Sequence, residues 1–396
     1  MTDEVSGAQP LSNRVRTYAW GSHTVLPALL GELVPSVEPW AEIWMGAHPD
    51  DPSGLSDGRT LADVVPDLPY LVKLLAAEQP LSIQAHPGLA HARAGFADEE
   101  ARGVPHGAAE RRYKDPNHKP ELMVALTHVE ALCGFRRPPE ALEFIGLLGV
   151  PGLSELAAPL SELDADAAWR DVFAALVDPA RSGLGNLVEA VAEAALASIG
   201  TSGPAADLAF GWVVRLAEAH PGDPGVLAPL FLQLVQLEPG EAVFLAAGVL
   251  HAYLSGAGVE VQASSDNVLR GALTNKYVDV VELMRVIDFG GGHDPSVRPR
   301  AVAPGVDSYD VPVGDFLVLR VRPTADGTHV EAPGDRIVVC VDGAVAAAGV
   351  ELLPGRSAFV PAEISDLLVT GAGTCFVAAP GYAFDAAAEA GSGAAR

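Results

Sequence analysis

The chain has 396 residues, too many for one ordinary core, so two or three domains with a sizeable interior are expected. Lys and Arg number 25 against 51 Asp and Glu, a net charge of -26, which disfavours nucleic acid or anionic membrane as a partner and requires a locally positive pocket for any anionic substrate. Three cysteines, Cys133, Cys340 and Cys375, lie far apart with no CxxC pair, which argues against a disulfide framework and a thiolate zinc site and for reducing cytoplasm.

The opening MTDEVSGAQP has neither a basic nor an apolar leader pattern, and runs such as VLAPLFLQLVQL fall short of the ~20 residues a membrane helix needs. A cytoplasmic protein is expected. From about 12 to 135, turn residues separate short apolar runs such as YLVKLL and LSIQAH, which read as strands. Between about 138 and 227 the period becomes helical, with Trp169, Val172, Phe173 and Leu176 on one face and Leu187, Val188, Val191, Ala195 and Leu196 on another. HPGDPG at 220–225 ends this block. Strand text resumes with FLQLVQL and EAVFLA, and GVLHAYLSGAGVEVQASSDN reads as a hairpin turning at SGAG. From about 306, DFLVLRVR, DRIVVCV, SAFVPA and TCFVAAP make a second all-β unit, and the tail AAAEAGSGAAR is low-complexity and expected to fray. The fold expected is mainly β with an α-helical insertion. Residues 1–137 and 228–305 form one discontinuous domain, 138–227 the insertion and 306–396 a C-terminal β domain.

Three fragments carry the chemistry. In LSIQAHP, Gln84 and His86 lie two apart, so a strand turns both to one face and one ligand can meet both. In YKDPNHKPE, Pro120 keeps Lys119 extended, and Glu121 can enter a metal site while Lys119 faces a neighbouring cavity; a surface ion pair is the plainer alternative. In the third fragment His251 and Tyr253 share one face and Glu260 and Gln262 alternate with valines, more like a pocket wall than a solvated surface. Two histidines, a glutamate and an amide oxygen suit a borderline divalent ion, and the absence of cysteine fits a catalytic site with an open position. These groups spread over about 170 residues, so no short pattern captures them.

YKDPNHKPE resembles the signature of type I phosphomannose isomerases, with Tyr113, Asp115, Asn117, His118, Lys119, Pro120 and Glu121 in place. RTYAWGS, AEIWMGAHP, LVKLL around Lys73, SIQAHP and HAYLSGAGVEVQASSDNVLRGALTNK are similar to family segments in the expected order. The resemblance implies a cupin-like jelly-roll catalytic domain with a helical insertion and a further β domain. It implies one Zn2+ per chain and interconversion of mannose 6-phosphate and fructose 6-phosphate, which feeds glycolysis or the supply of mannose precursors. It also implies Gln84, His86, Glu121 and His251 as metal ligands and Arg270 as the active-site arginine. Two departures stand out: Gln262 replaces a usual methionine, and Gly271, Ala272, Leu273 and Asn275 differ from the usual loop.

An enediol route needs a base between C1 and C2 and an electrophile for the oxygens, which a metal supplies. The ion's charge disfavours a second cation beside it and so favours a neutral Lys119 as proton carrier, with Glu260 the alternative base. Asp266 and His118 are expected to open the sugar ring, Arg270 to stabilise the enediolate or bind phosphate, and Lys73, Ser82 and Lys276 to anchor phosphate, with Tyr253 on the pocket wall. The partner is then a small sugar phosphate, with no nucleic acid or membrane, and a monomer is expected over an oligomer. Rival readings are an iron cupin performing oxygen chemistry, a non-catalytic sugar-binding protein, and an isomerase of another hexose. The iron reading leaves NHKPE without a role, and the binding reading predicts a lost ligand where none is lost. Cys133, 12 residues after Glu121, reads as a buried structural thiol.

Overall fold

The computed structural model describes residues 7–177 and 184–381. The expected fraying of AAAEAGSGAAR lies outside them. Strands dominate as far as Val129–Phe135, helices run from Pro138–Leu148 to Pro204–Ala219, and strands resume at Leu232–Leu237. Among the described residues there are two sheets, one of eleven strands and one of nine.

The eleven-stranded sheet is built around three antiparallel strands, Tyr70–Ala77 and Glu121–Ala125, buried throughout, and His251–Ala263, buried except at Ser255 and Gly256. Their side chains alternate with period two. Tyr70, Val72, Leu74 and Ala76, with Leu122, Val124, Val259 and Val261, pack toward Tyr309, Phe316, Ile337 and Phe359 of the other sheet. The alternate positions turn the opposite way, into a second cluster that holds Leu75, Ala77, Met123 and Ala125. Lys73, Glu121, Glu260 and Gln262 belong to that second set of positions, and the register pairs Glu260 with Lys73 and Gln262 with Glu121. Strand alternation alone thus gathers three charged groups on one face of the sheet.

His251–Ala263 is one continuous strand, which corrects the expected hairpin. Its first half pairs with Ile83–Ala85 and Val129–Phe135, and its second half with Tyr70–Ala77 and Glu121–Ala125. SGAG bends the strand without reversing it: Gly256 has φ 102°, and a Cβ there would lie 2.3 Å from His128 O. At Gly258 a Cβ would meet Met123 Sδ at 2.3 Å and Val124 O at 2.5 Å. These glycines admit neighbouring chains, a demand that local sequence does not distinguish from a turn.

The helical block packs Trp169, Val172, Phe173, Val188, Val191, Phe210 and Val213 into one core with Ile83, Ala85, Leu250 and Leu269. It therefore backs the strands Ile83–Ala85 and Leu269–Ala272, which carry Gln84 and Arg270. Several helices escaped the sequence reading, the two longest being Leu89–Ala101 and Val280–Val286. The first buries only Ala92 and Glu99, so it has no apolar period to read.

The nine-stranded sheet takes Gln9–Leu11, which pairs with Ser357–Val360, and every strand from Arg300–Ala303 onward, whereas Ser296–Val297 pairs within the first sheet. The sheets are also pinned by hydrogen bonds: Tyr70 Oη donates to Asp335 O and Ala378 O, and Tyr309 Oη to Gly240 O.

Candidate metal centre

Three buried side chains converge where the strands Ile83–Ala85, Glu121–Ala125 and His251–Ala263 begin or end. His86 Nε2 lies 3.3 Å from Glu121 Oε1, and His251 Nε2 lies 3.6 Å from Glu121 Oε2. His86 Nδ1 donates to Asn267 O at 2.7 Å and His251 Nδ1 to Val249 O at 2.9 Å, so both neutral rings turn an Nε2 lone pair toward the carboxylate. His86 Nε2 and Glu121 Oε2 have no hydrogen-bond partner although both are buried. Orphaned acceptors facing one another are costly unless a cation satisfies them. Burial lowers both histidines, His251 to about 4, which keeps them in the ligand form. Burial alone would raise Glu121, but the Lys119 ammonium holds it well below the ordinary carboxylate range. Gln84 pairs with His251 across the strands and sets its amide 3.4 Å from His251 Nε2; with the amide turned, it offers an oxygen. This donor set fits zinc.

The two long motifs form one structural unit. Asn267 is fully buried: its Nδ2 donates to Asp115 O and Asn117 O, both at 2.8 Å, and its Oδ1 accepts from Lys114 N at 2.7 Å. Asp115 reciprocates, accepting from Ser265 Oγ and Asp266 N at 2.8 Å each. The loop before Glu121 is thereby clasped to the segment that orients His86. Tyr113 anchors its start, donating to Glu282 Oε1, and its ring occupies space that a Cβ at Gly95 would invade at 2.2 Å.

Beside the metal ligands lies a buried charge network. Lys119 Nζ sits 3.0 Å from Glu121 Oε1, and Lys73 Nζ sits 2.9 Å from Glu260 Oε2 and 3.8 Å from Glu42 Oε1. Trp44 Nε1 holds Glu42 at 2.9 Å. Burial would lower Lys73, but Glu260 and Glu42 keep it above its usual range. Glu260 is raised, by burial first and against the pull of Lys73. Tyr253 Oη and Gln262 Oε1 are buried without hydrogen bonds. Gln262 Nε2 donates to Ala263 O and Ser265 O, which fixes the amide's orientation.

The structure redistributes two other expectations. His118 Nε2 lies 3.0 Å from Asp315, in the connection that precedes the strand Leu317–Val321, so its hydrogen bonds leave the ligand cluster. Asp266 instead meets His48, whose Nε2 is 3.0 Å from Asp266 Oδ2. His48 Nδ1 accepts from Asp50 N, so Nε2 carries the proton and donates it to Asp266. Burial would raise Asp266, but the His48 hydrogen bond holds it below its ordinary value. AEIWMGAHP is visible as a motif, yet Glu42 and His48 take their roles from Lys73 and Asp266, partners that lie far along the chain.

Arg270 pairs in register with Gln84, and among the described residues neither Arg270 nor Lys276 has a side-chain hydrogen bond or ion pair. The two cations are close enough that Arg270, ahead of burial, lowers Lys276, while burial lowers Arg270. Two neighbouring cations without carboxylate partners are groups that could hold an anion. Lys73, already held by carboxylates, is the weaker anchor, and Ser82 lies half-buried just before Ile83–Ala85 with no hydrogen bond of its own among the described residues.

Comparisons with known proteins agree with this geometry. A family model described as the catalytic domain of type I phosphomannose isomerase matches residues 8–67 and 60–138. Mannose-6-phosphate isomerase of Escherichia coli (strain K12) is 38% identical over 393 residues, spanning 92% of this chain and 97% of that one. The Homo sapiens protein of the same name is 31% identical, over 92% and 93%. A solved, zinc-bound mannose 6-phosphate isomerase has TM-score 0.84 and 32% identity, covering 95% of this chain and 100% of its own.

Proposed function

The chain belongs to the type I phosphomannose isomerases, zinc enzymes of aldose–ketose isomerisation with a cupin-type fold, and from that premise we propose that it interconverts mannose 6-phosphate and fructose 6-phosphate through an enediol, with Lys119 as the proton carrier. The observation that carries the reading is the 3.0 Å contact between Lys119 Nζ and Glu121 Oε1, which sets an amine beside the carboxylate of a donor set that fits zinc. His86, Glu121 and His251, with Gln84, would hold the ion, and zinc when bound polarises the substrate oxygens.

Lys119 takes the C2 proton of the aldose and returns a proton to C1, while a proton passes from the C2 hydroxyl oxygen to O1, leaving the ketose. Asp266, oriented by His48, transfers the ring-opening proton. Arg270 and Lys276 hold the phosphate. Glu260 is the second reading for the base, favoured by the rise that burial gives its carboxyl. The substrate is a small sugar phosphate, and we place a monomeric chain in the cytoplasm; no helix among the described residues is long and apolar enough to cross a membrane.

A coupled isomerase assay on metal-analysed protein, before and after chelation and zinc return, tests the activity. Solvent deuterium appearing in product tests the enediol. Turnover that drops at least ~100-fold in Lys119→Ala, within the span of one acid–base group, and less in Glu260→Ala supports the assignment, whereas the reverse order transfers the base to Glu260.

A further inference from the structure

The loop carrying both free cations is held from the helical insertion. Asp223, in the HPGDPG segment, caps the 3-10 turn Pro224–Leu227 by accepting from Gly225 N at 2.7 Å through Oδ1. Its other oxygen, Oδ2, accepts from Leu273 N at 3.1 Å, midway between Arg270 and Lys276. Capping alone needs one oxygen; the second reaches across 50 residues to the active-site loop.

Leu273 is in an unusual state. Its φ of 55° lies in the left-handed region that branched side chains rarely adopt, shared among described non-glycine residues only by Ala348. Its side chain is 4% exposed and sits in the core of the helical block. Opposite it, a Cβ on Gly225 would lie 2.7 Å from Ala272 Cβ and 2.9 Å from Leu273 Cγ, so the turn and the loop touch with no room for a side chain. A conformation this costly persists where the surroundings over-determine it. Here those surroundings are the buried Leu273 side chain, the bare Gly225 and the Asp223 carboxylate.

We propose that Asp223 is a positioning residue for substrate: by bridging the helical insertion to the 270–276 loop it sets Arg270 and Lys276 to receive the sugar phosphate. This rests on the reading of that pair as the phosphate site. The insertion then belongs to the binding apparatus, and the departures at 271–275 are accommodated by it.

The test measures KM and kcat for mannose 6-phosphate, the Kd of inorganic phosphate and the melting temperature on zinc-loaded wild type, Asp223→Asn, Asp223→Ala and Arg270→Ala. Asp223→Ala is expected to raise KM and the phosphate Kd about tenfold, ~1.4 kcal/mol, with kcat within about twofold. Asp223→Asn, which keeps one acceptor, falls between it and wild type. If Asp223→Ala does not fold, Gly225→Ala, which pushes the loop while keeping Asp223, shows the same split between KM and kcat. Phosphate binding lost in Arg270→Ala but unchanged in the Asp223 variants overturns the positioning role and leaves the anion site standing. Equal losses in kcat and KM alongside a lower melting temperature mark a merely structural Asp223 and also overturn it. Arg270→Ala binding phosphate like wild type removes the anion-site reading, and this inference with it.

Discussion

Replacing Asn267 with alanine strips the clasp that joins the YKDPNHKPE loop to the metal centre. The amide leaves behind Lys114 N, Asp115 O and Asn117 O, all bonded at 2.7–2.8 Å. A buried group left unpaired costs about 1–3 kcal/mol. Lys114 and Asp115 are half-buried and Asn117 is exposed, so water reaches part of the loss and the lower end applies, about 3 kcal/mol in all. His86 keeps its acceptor, because Asn267 offers it a backbone carbonyl, but the segment carrying that carbonyl loosens. Groups that orient a metal ligand are worth about 10–100-fold in affinity, so zinc binding should weaken by at least ~10-fold. Urea denaturation of zinc-free protein reads the first quantity and competition with a chromogenic chelator reads the second. Asn267→Asp, which keeps the shape but aims an acceptor at two carbonyls, should be no better than alanine. A loss below ~1 kcal/mol with unchanged zinc affinity would refute the clasp.

Gly258→Ala forces a Cβ to 2.3 Å from Met123 Sδ and 2.5 Å from Val124 O, and should cost about 3 kcal/mol in urea, while Gly107→Ala, with nothing within 4 Å, should change stability by less than ~0.5. Chelation should abolish turnover and zinc should restore it; Glu121→Gln should weaken zinc binding by more than ~100-fold, read by metal content after dialysis, since groups that only orient ligands already reach that figure. Asp266 is held below its ordinary value in the fold, so its charge contributes stability above the unfolded value of about 3.9, and that contribution disappears as pH falls through the lower folded value. The urea stability gap between wild type and Asp266→Asn should therefore close toward acid pH; a gap that closes as pH rises contradicts the pairing with His48. His48→Ala should lower kcat more than His118→Ala, whose hydrogen bonds serve Asp315, and equal losses in the coupled assay would return His118 to the ring-opening role.

Much of the site was legible because strand alternation is a property of a single segment. Gln84 and His86 share a face, and Lys73, Glu121 and Glu260 lie at positions of one sheet face on strands whose other face is apolar. The helical insertion was legible for the same reason, with Trp169, Val172 and Phe173 repeating on one face. The helix Leu89–Ala101 was not, since its buried Glu99 works through backbone N–H groups and not through an apolar stripe.

By itself the sequence determined the period of each segment, the donor types available to a divalent ion and the order of the motifs. Only the tertiary structure decided which glycines bend a strand and which turn it, that His118 faces Asp315 while His48 faces Asp266, and that Asp223 reaches Leu273. Periodicity is local, set by how successive side chains leave one backbone. A partner 50 to more than 200 residues away depends on how the sheets close and register, and no short window of sequence contains that closure.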